Sequence, residues 1–269
     1  MCAVKQTNDT MKAVWRGTIG FGLVSIPVRM YSASQASELD LDMLDAKDKA
    51  RIRFHRVNER TGKEVPWERI VRAYDVEGRY VVLDEAVLKR AAEEKSDVIS
   101  IHDFVDLADV QPKYFERPYY LEPEKGGARA YALLRDALKK SGKAGVASFV
   151  MRTKEHPAVI IPDGNVLLLD QLRFAEEIRD PADLNIPGSE KVPAAELKLA
   201  LSLIDQHTGT FNIAKYKDEF TARLRKVIQA KAKGKRITSP AMKVVHTRKG
   251  TDLMQQLKAS LQARKRKAS

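Results

Sequence analysis

The sequence predicts a mainly β protein with added helices: a barrel or strongly curled sheet within residues 1–170, then, after Pro193, a helical region and a basic tail. Three observations predict it. Short runs rich in Val, Ile, Phe and Tyr recur between turn signals up to residue 169. After Pro193 the apolar spacing becomes that of helices. Charge is also sorted: residues 221–269 hold 15 of the 48 Lys and Arg but only one of the 36 acidic residues, Asp252. That segment carries +14, and the 220 residues before it carry −2.

Residues 1–10 are polar and patternless and read as a flexible extension. Residues 13–32, AVWRGTIGFGLVSIPVRMYS, read as strand, turn or bulge, and strand. Gly17, Gly20 and Gly22 mark bends or close backbone approaches. Pro27 lacks an amide donor, which places its strand at a sheet edge or breaks it there. Residues 51–55 alternate, with Arg51, Arg53 and His55 on one face, and NERTGK (58–63) turns the chain into a hairpin. Residues 80–83 read as strand, Asp84 caps the short helix EAVLKRAAEE, and residues 97–104 and 119–121 read as strands. Residues 128–141 form an amphipathic helix with Tyr131, Leu134 and Leu138 on one face and Gly142 as its stop. Strands follow at 145–152, 158–161 and 166–169, with Pro162-Asp163-Gly164 as a turn. Helices are expected at 194–206 and 214–233. Tyr216, Phe220, Leu224, Val227 and Ile228 form one stripe of the second, and Gly234 ends it. A weak helical segment lies around Leu253–Leu261.

Several function classes are excluded. No apolar run approaches the roughly 20 residues that span a bilayer. The N-terminus has no apolar signal region, and the single cysteine, Cys2, permits no intrachain disulfide, so a reducing cytoplasm fits. The histidines, His55, His102, His156, His207 and His246, are scattered, and no metal site is expected. Neither GxxxxGK[ST] nor GxSxG occurs, and Gly17-x-x-Gly20-x-Gly22 has no helix behind it to bind phosphate. Glu93-Glu94 and Glu176-Glu177 are adjacent residues and cannot flank one substrate atom. No catalysis, cofactor or small-molecule substrate is expected.

Concentrated positive charge points to a polyanion, because each neutralised phosphate releases counterions. The aromatic residues are too sparse for a single-strand binder, so a duplex backbone is the better target. Trp15 and Trp67 read as packing residues. The Arg51/Arg53/His55 face is either solvated or one wall of a phosphate-binding groove.

WRGTIGFGLVSIPVRMYSA (15–33), RIRFHRVNERTGKEVPWERIVRAYD (51–75), GRYVVLDE (78–85), IHDFVDL (101–107), YFERPYYLEPEKGGARAYALLRDAL (114–138) and KYKDEFTARLRKVIQAKAKG (215–234) together resemble bacterial Ku. The first block and PYYLEP…GGxxAYALLR carry most of the specificity. The resemblance covers residues 11–235 and implies a Ku-type β-barrel with extended arms. It implies two chains forming a ring that threads onto a duplex DNA end, and recruitment of an ATP-dependent DNA ligase in non-homologous end joining. It leaves no room for the amino-terminal α/β domain of the eukaryotic relatives.

On this basis the chain divides into an extension (1–10), a barrel core with a DNA-encircling arm (11–193), a helical region near which the ligase is recruited (194–234) and a basic tail (235–269). Arg16, Arg51, Arg53 and Arg152 are assigned to the inner wall of the ring by strand alternation. Tyr216, Phe220, Leu224 and Ile228 are assigned to arm or dimer packing. Lys235, Arg236, Lys243, Arg248, Lys249, Lys258, Arg264, Lys265, Arg266 and Lys267 are assigned to nonspecific DNA contact by the tail. A nucleoid-associated architectural protein without end specificity would share the charge and the lack of a catalytic site. No membrane partner is expected.

Overall fold

Residues 13–32 form the expected hairpin: β1 (Ala13–Phe21) and β2 (Val24–Ser32) turn at Gly22, whose φ is 56°. The computed structural model describes residues 11–91, 96–186, 188, 192–235, 254–258 and 260. It falls into two units that meet in sequence at Asp180 and Pro181. In the first unit β3 (Arg72–Val76), β4 (Arg79–Leu83) and α1 (Glu85–Ala91) precede β5 (Val98–Asp106), β6 (Phe115–Pro123) and α2 (Ala128–Ser141). Then come β7 (Lys143–Met151), β8 (Lys154–Asp163) and β9 (Val166–Leu172).

Seven strands close into a barrel in the order β1-β2-β6-β9-β8-β7-β5. Every neighbouring pair is antiparallel except β1 and β5, which run parallel and complete the ring. Alternation fills the interior. Ile26, Val28 and Met30 of β2 face inward with Leu167 and Leu169 of β9 and Phe149 of β7, all almost fully buried. Burying each such side chain contributes about 1.5–3 kcal/mol. The helix α2 has the predicted bounds and buries Tyr131, Leu134 and Leu138 into this core; Gly142 ends it at φ 68°. The Tyr131 hydroxyl donates to the Leu121 carbonyl and accepts from the Leu167 amide, both at 2.6 Å, so it fastens the helix to β6 and β9.

Three local expectations are corrected. Pro27 sits on an inner strand, not an edge. It is tolerated because the pairing of β2 with β6 begins one residue later, at Val28. The turn expected at 162–164 moves to Gly164-Asn165, with Pro162 and Asp163 still paired. Residues 51–55 form no strand; only the isolated bridges Leu44↔Arg51 and Val57↔Glu64 flank them. Alternation there is not matched by a partner strand or a buried face, and the two bridges belong to two separate turns. The hairpin turn at Asn58 is present, closed by Asn58 N–H to the Lys63 carbonyl at 2.8 Å.

The second unit contains α3 (Ala194–His207) and α4 (Glu219–Ala232). The start of α4 is later than periodicity suggests because Asp218 caps it, its Oδ1 accepting from the Thr221 amide at 2.9 Å. The hydrogen bond from the Thr221 side chain, the largest cause, and then that from its amide hold the Asp218 carboxyl below its usual range. Tyr216 therefore lies before the helix rather than on its stripe. Phe220 and Ile228 are exposed in the single chain and Leu224 is half-buried. Of the tail residues assigned to DNA, Lys235 and Lys258 are described and exposed; Arg236, Lys243, Arg248, Lys249, Arg264, Lys265, Arg266 and Lys267 lie outside the described residues.

Tyr131→Phe should leave a buried amide and a buried carbonyl short of a partner. It should lower unfolding free energy by about 1–3 kcal/mol without changing the far-ultraviolet spectrum, measured by denaturant titration.

Candidate nucleic-acid interface

The chain leaves the barrel after β2 and returns at β5, and this excursion is an arm with no buried residue among those described between 34 and 98. Its regular pieces are the β3–β4 hairpin and α1, whose expected cap is present: Asp84 Oδ1 accepts from the Val87 amide at 2.7 Å. Residues 51–79 hold eight Lys and Arg against five Asp and Glu. Arg51 is bound to Asp42 at 2.7 Å and His55 to Glu64 at 2.8 Å. Arg56 lies over the Trp67 ring, 4.7 Å from its centroid. Arg53, Arg60, Lys63, Arg69, Arg72 and Arg79 make no ion pair with the described residues. Exposed aromatic side chains stand among these cations: Phe54, Trp67, Tyr74 and Tyr80 are each about two-thirds or more exposed. Trp67 is thus not a core residue, whereas Trp15 is half-buried, donates to the Val150 carbonyl at 3.0 Å and packs edge-on against Phe149.

The other assigned arginines lie on the barrel. Arg16 and Arg29 are opposite each other on β1 and β2, and both reach Glu124 Oε1, at 2.9 and 2.7 Å. Two like charges side by side on a sheet repel; the shared carboxylate offsets this. The hydrogen bond from Arg29 leads the causes that hold the Glu124 carboxyl below its usual range, and the same bond raises Arg29. Arg152 is not on a strand. It lies in the two-residue turn between β7 and β8 at φ 66°, in left-handed backbone uncommon for a residue with a Cβ. The four assigned arginines are therefore split, two on the barrel and two in the arm, and strand alternation does not unite them on one face.

Among the described residues no helix is long and apolar enough to cross a membrane, and no group of three or more His, Cys, Asp or Glu could hold a metal ion.

The profile of the Ku70/Ku80 β-barrel domain matches residues 20–199. This chain belongs to the Ku family. Proteins named non-homologous end joining protein Ku resemble it over most of their length. That of Opitutus terrae is 41% identical over 86% of this chain and 84% of its own. That of Coxiella burnetii is 38% identical over 95% and 96%, and that of Bacillus subtilis 32% identical over 95% and 83%. Among solved structures, the SPOC domain of human PHD-finger protein 3 matches 60% of this chain and 97% of its own at 12% identity. Its TM-score is 0.31, too low to carry an argument.

In this Ku chain, sequence reasoning missed Arg29, although it follows from alternation: Arg29 falls between the inward Val28 and Met30 and so points outward beside Arg16. It also missed Arg56 and the unpaired cations of the hairpin, whose signal is plain composition within residues 51–79.

Glu124→Gln should release Arg16 and Arg29 from their shared carboxylate. If these arginines face a polyanion, affinity for duplex DNA rises at low salt and the gain fades as salt is added. Fluorescence anisotropy at two ionic strengths reads this; unchanged binding makes the cluster a strand fastener only.

Proposed function

We propose that this protein binds double-stranded DNA ends without reading sequence, as a homodimeric ring acting in non-homologous end joining. In that role it protects and bridges ends and recruits an ATP-dependent DNA ligase. The observation that carries the reading is the arm: a long, unburied excursion from a Ku-family barrel, bearing unpaired cations and exposed aromatic side chains together. Cations suit phosphates, which are the same for every base sequence. Aromatic side chains of this size need a protein surface, and a second copy related by a two-fold axis is the economical source. Exposed Phe220 and Ile228 on α4 and Leu197, Leu201 and Ile204 on α3 add apolar surface suited to the same use.

On this reading end specificity comes from topology. A closed loop of protein admits a duplex only at an end, so the end itself need not be recognised. Arg53 of the arm offers a free cation, and Arg51 exchanges its exposed carboxylate partner, Asp42, for phosphate. Arg16 and Arg152 add charge from the barrel. The tail adds affinity without end selectivity, because phosphates line the whole duplex. The competing reading is an architectural protein that coats DNA anywhere.

At salt high enough to suppress the tail, linear duplex should be retained and a relaxed closed circle of the same sequence should not. Equal retention in a filter or gel assay would favour the architectural protein.

Truncation after Gly234 should weaken binding most at low salt and on closed circles. The slope of log K against log salt should become shallower by about 0.9 for each phosphate that the tail neutralises in the full-length protein. An unchanged slope on both substrates would assign the tail's charge to another partner.

A further inference from the structure

The two ends of the barrel differ. At one end α2 fills the interior with Tyr131, Leu134 and Leu138. At the other, three inward-facing rows that are apolar along their length end in polar residues. Tyr119 and Leu121 of β6 lead back to Arg117, Leu167 and Leu169 of β9 lead to Gln171, and Ala158 and Ile160 of β8 lead back to His156. Arg117 and Gln171 are direct cross-strand partners, and a bulge in β6 at Glu116 brings that carboxylate into the group.

Gln171 is 7% exposed, the one buried polar side chain among the described residues. Its Nε2 donates to Glu116 Oε2 at 3.1 Å and stands 3.1 Å from His156 Nδ1. The amide N–H₂ can donate to Nδ1 only when that nitrogen carries no proton, so this contact favours a neutral imidazole. Burial, the largest cause, and Lys154 also favour the neutral ring against Glu116 and Glu177. These residues line a cleft of about 720 Å³ with Arg117 and Arg152, neither of which has an ion-pair partner among the described residues. That volume suits a small ligand or a single nucleotide and is too small for a duplex. A bare structural role for this group would not require two unpaired guanidiniums at its mouth.

We infer that this cleft is a phosphomonoester site, in which Arg117 and Arg152 hold the phosphate over a floor of Gln171 and His156. A phosphomonoester carries about −1.5 to −2 charge at neutral pH and three acceptor oxygens, which match forked guanidinium donors better than a singly charged diester does. Two sources share this chemistry: a free nucleotide, or the 5′-phosphate of a DNA strand end. The second rests on the end-binding function proposed above, and is supported by position: Ser34 and Gln35, where the arm leaves the barrel, line the same cleft.

The test titrates full-length protein with 5′-dAMP and with deoxyadenosine by calorimetry. It then compares otherwise identical linear duplexes bearing 5′-phosphate or 5′-hydroxyl, with a closed circle as reference. The site requires dAMP to bind and deoxyadenosine not to, or the phosphorylated duplex to bind roughly tenfold tighter. Binding of dAMP without a duplex preference selects the free nucleotide; a duplex preference selects the strand end. Arg117→Gln, an exposed position, must abolish whichever signal is seen, whereas Arg53→Gln in the arm must lower binding of both duplexes alike. No dAMP binding together with equal duplex affinities overturns the inference, as does a preference that survives Arg117→Gln. Loss of linear-over-circle discrimination in the unaltered protein overturns the end-binding reading instead.

Discussion

The barrel depends on one seam. Thr18, Ile19 and Gly20 of β1 pair in parallel with Val98, Ile99 and Ser100 of β5, and the Thr18 amide adds a bond to the Asp97 carbonyl at 2.8 Å. Parallel neighbours need a crossover connection, because no tight turn can reverse the chain twice. Here the crossover contains the whole arm. The seam also accounts for Gly17 and Gly20, the first two glycines of RGTIGFG. A Cβ on Gly17 would overlap the Asp97 carbonyl and the Trp15 ring, and one on Gly20 would press on Val98 at 3.1 Å. Gly17 leaves space for the Asp97 backbone and the Trp15 ring, and Gly20 for the Val98 side chain.

Much of this architecture was legible in the sequence. The β1–β2 hairpin, α2 with its bounds and buried face, the Asp84 cap and strands β4, β5, β7, β8 and β9 follow from local pattern, whereas β3 was not read as a strand and β6 only at residues 119–121. Local pattern governs wherever one face of an element is buried in the same chain. It failed at residues 51–55, where alternating Arg, Ile, Arg, Phe and His meet no partner strand among the described residues. It failed again at Pro27, because tolerance of a missing donor depends on where a strand 95 residues later begins to pair. The assigned cations suffered from the same cause: alternation gave Arg152 a strand position, but it occupies a turn. The polar ends of the inward rows were readable in principle, since Arg117, Gln171 and His156 continue the parity of apolar positions. Seeing them as one group required knowing that β6, β9 and β8 are neighbours.

Charge is handled differently in the two parts of the first unit. On the barrel several cations are matched, Arg16 and Arg29 by Glu124, Arg135 by Asp136 and Lys143 by Asp106, while Arg117 and Arg152 at the cleft are not. In the arm most are not. Exposed pairs of this kind contribute little to stability, and each lowers the net positive charge that its part of the barrel presents. Unmatched charge is left where a partner can approach from solvent. The separation resembles that between the near-neutral first 220 residues and the tail, repeated on a smaller scale.

The arm's position between β2 and β5 also has a consequence for synthesis. Neither edge of the β1–β2 hairpin can be covered until the arm has been made: β5 covers one and β6 the other. At about 5–20 residues per second, the roughly 65 intervening residues delay the first of these by about 3–13 seconds. During that interval two open strand edges and the apolar row Ile26, Val28 and Met30 are exposed on a nascent chain, the condition that favours mispairing with a neighbouring copy. Arm length itself costs the finished barrel little, since loop-closure entropy grows only with the logarithm of length. Selection on the arm is therefore freer in the folded protein than on the ribosome, where every added residue prolongs the wait.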